Sequence, residues 1–126
     1  GDAKREKHMV DRKKIQGFED LVVWQESQNL AVQVYEITKQ FPREEVFGIT
    51  SQIKRAVSSV SANIAEGFGR PTLKDKLQFY TIAYGSVLET KKCLHRSPRL
   101  VYMAEVHLDA LLDTTVSCQK LFNGLT

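Results

Sequence analysis

Gln52, Arg55, Ser59, Asn63 and Glu66 recur at steps of three or four within QIKRAVSSVSANIAEGFGR, residues 52–70. Such spacing draws one polar line along a helix, mixing amide, cation, hydroxyl and carboxylate. Three readings of that line stay open: a binding groove, a buried polar network, or a solvated face. Between these positions stand serines and alanines, small enough for a second helix to come close. Catalysis finds less support. His95 and His107 have no carboxylate or cysteine at metal-ligand or triad spacing. Ser58, Ser59 and Ser61 sit mid-helix, away from the strained turn of a hydrolase nucleophile. Gly67 and Gly69 end a helix instead of following a strand, so they do not form a phosphate loop. No catalytic residue, metal site, cofactor or small-molecule substrate is therefore expected.

The elements that would hold this line are helical. A first helix is expected from about Phe18 to Gln40, stopped by Phe41-Pro42 because the residue before proline leaves the helical region. A second is expected from Glu44 or Glu45 to Gly67, with Phe47, Ile49, Ile53, Val57, Val60 and Ile64 on its apolar face. Thr72, with Asp75 three residues on, reads as the N-cap of a third helix that stops before Pro98. A fourth follows Pro98 and ends near Gly124. No useful strand alternation occurs. Four stripes with short connections predict an all-α, up-down-up-down antiparallel four-helix bundle.

The chain has 126 residues, enough for one core and too few for two. Residues 1–8 read as a tag remnant before Met9, residues 9–17 as an N-terminal extension, and residues 18–126 as the bundle. Lys4, Arg5 and Lys7 against Asp2 and Glu6 account for one unit of the +3 net charge. The remaining +2 is weak support for a nucleic-acid partner. No apolar run approaches the roughly 20 residues of a membrane span. Cys93 and Cys118, with no export signal before them, fit free thiols in a reducing cytoplasm.

Several ordered motifs resemble one family. Phe18-Glu19-Asp20-Leu21 with Trp24-Gln25, then Phe41-Pro42-Arg43-Glu44-Glu45 with Phe47-Gly48-Ile49, are similar to the opening of the 23S rRNA intervening-sequence protein family. Gln52 to Ala56, Asn63 to Gly67 and Ala83 to Glu89 resemble its later landmarks. The resemblance implies a bacterial four-helix bundle that forms a homo-oligomer, most often of five copies. It also implies similarity in fold to accessory proteins of diversity-generating retroelements, with RNA or DNA association as the usual proposal.

Three groups of residues follow as candidates. Gln52, Arg55, Asn63, Glu66, Ser86 and Glu89 are expected to form an interhelical polar network, with Arg55 paired to Glu89. Lys54, Arg70, Lys74, Lys91, Lys92 and Arg96 are the candidates for phosphate contact, although cations near a helix C-terminus also suit its dipole. Phe18, Phe47 and Phe68 are candidates for oligomer contact. The function expected is a non-catalytic nucleic-acid-associated accessory protein. The rival is a scaffold for a protein partner, such as a polymerase-like enzyme.

Overall fold

The structure, a computed structural model, describes residues 15–96. Three α-helices occupy this region: α1 (Val22–Thr38), α2 (Ile49–Phe68) and α3 (Leu73–Arg96). Short 3-10 turns at Phe18–Asp20 and Arg43–Glu45 precede α1 and α2. No strand occurs among the described residues. The fourth expected helix, with His107 and Cys118, lies outside them.

Helix α2 is the middle element, packed against α1 on one side and more extensively against α3 on the other. Its sequence explains this position. Ile53, Val57, Val60 and Ile64 recur at helical spacing and are fully buried. Burial of each such side chain contributes about 1.5–3 kcal/mol. Leu30 and Val34 of α1, with Ala83, Val87 and Leu94 of α3, complete the core around them. Three buried hydroxyls are satisfied within their own helices: Ser27 donates to the Trp24 carbonyl at 2.6 Å, Thr38 to the Tyr35 carbonyl at 3.0 Å and Thr90 to the Ser86 carbonyl at 2.8 Å, whereas the buried Thr50 hydroxyl makes no hydrogen bond among the described residues.

The first two helices start later than the sequence suggests. The Asp20 carboxylate accepts the backbone N–H groups of Gln16 (2.8 Å) and Gly17 (3.2 Å), closing a tight turn over Phe18–Asp20. Leu21 is then extended, with ψ 129°, so α1 begins at Val22. The acidic pair Glu44 and Glu45 likewise opens only a 3-10 turn. Gly48, with φ −109° and ψ −117°, breaks the backbone before α2 begins at Ile49. This break removes Phe47 from the apolar face where helical periodicity would put it. The ring is 97% exposed. The third helix starts as expected, with the Thr72 hydroxyl accepting the Asp75 N–H at 3.2 Å.

Helices α2 and α3 run antiparallel. Gln52 meets Arg96, Ser59 meets Ser86, and Gly67 lies against Phe79 and Tyr80. A Cβ added at Gly67 would come within 2.8 Å of the Tyr80 ring and 3.0 Å of the Phe79 Cβ. The helices approach there only because a side chain is missing. Gly85 differs, since its added Cβ would meet nothing within 4 Å. Gly67→Ala is expected to lower stability by about 1–3 kcal/mol through overpacking. Gly85→Ala is expected to raise it by about 0.4–1 kcal/mol through reduced freedom of the unfolded chain. Urea unfolding of both variants checks this pair of signs.

Candidate functional site

Alanine and serine at the α2–α3 seam leave a cleft of about 440 Å³ open to solvent. Gln52, Arg55, Ala56 and Ser59 line it from α2, and Ile82, Gly85, Ser86 and Glu89 from α3. Its floor carries a hydroxyl bridge: the Ser59 and Ser86 oxygens are 2.8 Å apart. Asn63 donates to both the carbonyl (2.8 Å) and hydroxyl (2.9 Å) of Ser59, and Ser86 lies 3.1 Å from the Ile82 carbonyl. Each hydroxyl has one proton. The Asn63 amide and the Ser86 hydroxyl both donate to the Ser59 oxygen, and the Ile82 carbonyl lies within reach of the same Ser86 proton, so the three side chains form one connected network across the seam.

Oppositely charged groups stand above this floor. Arg55 and Glu89 both line the cleft and are exposed, and no ion pair joins them. The expected Arg55–Glu89 bridge is therefore not formed, because two exposed side chains gain little from pairing in water. At one end, Arg96 donates to the Gln52 side-chain oxygen at 3.2 Å. Glu66 instead meets Arg70 at 2.5 Å, both partly exposed, one helical turn apart. Four of the six residues expected in one network thus fall into three groups: a seam network through Asn63 and Ser86, a Gln52–Arg96 link, and a Glu66–Arg70 pair. Arg55 and Glu89 stand apart as the charged walls.

Near the turn, Glu66 lies at the level of Phe79 and Tyr80, since the adjacent Gly67 abuts those rings. The first turn of α3 projects past the end of α2. There Lys76 donates to the Phe68 carbonyl at 2.6 Å and lies 5.4 Å from the Phe68 ring centre. Sequence reasoning missed this lysine, which joins an orphan helix-end carbonyl to the next helix.

The six candidate phosphate-binding cations do not share one face. Lys54 lies over the Tyr35 ring of α1, 5.1 Å from its centre, on the side of α2 away from the cleft. Arg70 is held by Glu66 and stacks on Phe79 at 4.6 Å. Lys74 is exposed in the first turn of α3. Lys91 and Lys92 are sequence neighbours, so about 100° of helix rotation separates them. Lys92 falls with Glu89 and Arg96 on the strip beside the cleft. Arg55, Lys92 and Arg96 are the cations gathered at that end. Of the three candidate contact aromatics, Phe18 packs edge-on against Trp24 at 5.2 Å, and Phe68 packs against the core. Phe47 alone of these projects into solvent.

Among the described residues no cluster of three or more His, Cys, Asp or Glu could hold a metal ion. None of their helices is long and apolar enough to cross a membrane. The family comparison matches residues 19–124 to the 23S rRNA-intervening sequence protein. The chain belongs to that family. It is also similar to a solved structure from Bacteroides thetaiotaomicron VPI-5482, described as a protein of unknown function from the S23 ribosomal protein family. The two share 25% identity and a TM-score of 0.75, over 82% of this chain and 97% of the other. No curated protein matches the chain.

Cys93, fully buried beneath this end of the cleft and in no disulfide, reports on its integrity. Burial pushes its thiol above the ordinary value of 9.0, Glu89 adds to the rise, and Arg96 opposes it. Burial also raises Tyr80 above 10.0. A raised acid favours the protonated fold, so stability should fall as pH climbs past 9 and further past 10. In a Cys118→Ser background, native Cys93 should alkylate at least about tenfold more slowly than after unfolding. Equal rates would show that this end of the seam is open.

Proposed function

We propose that the protein is a non-catalytic, homo-oligomeric helical-bundle protein that associates with RNA or DNA as an accessory to a larger nucleic-acid process. The gathering of Arg55, Lys92 and Arg96 at one end of the cleft carries this reading. Family membership supports it through the rRNA named in the family's description. Three cations on one protomer make a weak phosphate site. Repetition around an oligomer multiplies it, because affinity grows with the number of phosphates neutralised. Contact through the backbone of the nucleic acid fits better than reading of bases: Tyr35 and Phe79 each carry a cation, Lys54 and Arg70, over one ring face, and among the described residues no aromatic ring lines the cleft beside Arg55, Lys92 and Arg96. Lys54, Lys74 and Lys91 would touch the same strand only if it wrapped around the assembly. A second reading, a scaffold for a protein partner, is favoured by the exposure of Phe47.

Fluorescence anisotropy with a labelled single-stranded RNA, titrated across salt concentrations, separates the two. The nucleic-acid reading predicts salt-dependent binding. Replacing Lys92 and Arg96 by alanine should flatten the slope of log affinity against log salt by about one per side chain. Absence of binding at low salt by RNA and DNA alike would contradict it.

A further inference from the structure

We infer that Phe47 is an assembly knob that seats in the α2–α3 cleft of a second copy of this chain. The inference rests on the homo-oligomer part of the proposed function and names its contact. Phe47 is 97% exposed beside Val46, itself 44% exposed, so the turn presents adjoining apolar side chains to water. The turn is ordered by its own backbone: Val46 N–H reaches the Arg43 carbonyl at 3.1 Å and Gly48 N–H the Glu45 carbonyl at 3.0 Å. An aromatic ring held out on a fixed turn loses little conformational freedom on binding, which is the property of an interface anchor.

The cleft offers a matching receptor. At its centre Gly85 has no side chain and its missing Cβ would face open space, beside the apolar edge of Ile82. Charges match as well. The knob is flanked by exposed Arg43 and Glu44, while the cleft carries Glu89 on one wall and Arg55 on the other. Each knob charge therefore finds an opposite charge in the cleft, where neither Arg55 nor Glu89 has an ion-pair partner among the described residues, and Lys92 and Arg96 stay at the rim for phosphate. Phe47 cannot fill the cleft of its own chain. Gly85 lies level with Ser59, ten residues or about 15 Å along α2 from Ile49 at a rise of 1.5 Å per residue, and Phe47 precedes that helix, so the distance is beyond the reach of a phenylalanine. Knob and cleft are different surfaces, so the contact is head-to-tail and propagates until it closes.

Light scattering on two variants and their mixture tests this contact. Phe47→Ser removes the knob and keeps the cleft. Gly85→Trp fills the cleft, at a position with room for a side chain, and keeps the knob. Each alone should fall from the wild-type mass to one protomer. Mixed in equal amounts they should form a terminated pair of two protomers, which also shows that both variants are folded. A wild-type assembly that survives both substitutions, or monomeric variants that do not pair on mixing, would overturn the knob-and-cleft contact alone. A monomeric wild type would overturn the assembly reading with it.

Discussion

The close approach of α2 and α3 is the constraint on which the rest of the described structure depends. It needs a missing side chain at Gly67, where two aromatic residues of α3 fill the space. It also needs small hydroxyls at Ser59 and Ser86, which meet at 2.8 Å. Larger groups at these points would force the helices apart. The serines do more than save space, because each of the two hydroxyls has a hydrogen-bond partner in the seam. Together the two contacts fix the antiparallel register, and the register decides which charges share the cleft.

That register divides the polar line of α2 by role. Asn63 and Ser59 turn inward to the seam, Glu66 turns to Arg70, and Gln52 takes Arg96. Arg55 and Glu89 are left unpaired with each other on the walls of the open cleft. Exposed charges gain little from such a pair in water, whereas an occupant that excludes water would strengthen both interactions. The cleft is therefore better suited to receiving a partner than to closing on itself. Buried Cys93 lies under the same end, so packing there and charge at the rim are linked through Glu89 and Arg96.

Much of this was legible from residue types. The buried stripe of α2 follows the sequence period, and Thr72 caps α3 as its hydroxyl and the following Asp75 suggest. Phe47 was misplaced because a helical period was carried through Gly48, whose backbone is not helical. The α2–α3 register was not legible, since it depends on which side chains of α3 meet Gly67 and Ser59 across the seam. The basic residues could be counted in the sequence but not grouped. Lys54 and Arg55 are neighbours, yet one reaches Tyr35 of α1 and the other the cleft. Likewise Lys91 and Lys92 divide between two faces, which reduces a run of six candidates to a small cluster.

A cysteine pair at positions 59 and 86 tests the seam most directly. The variant would carry Ser59→Cys and Ser86→Cys with both native cysteines replaced by serine. The contact of the two hydroxyls predicts rapid intramolecular disulfide formation under mild oxidation, read by mass spectrometry. Failure of that pair to close, while a control pair joining position 59 to position 82 or 89 closes readily, would contradict the register from which the cleft and its charges follow.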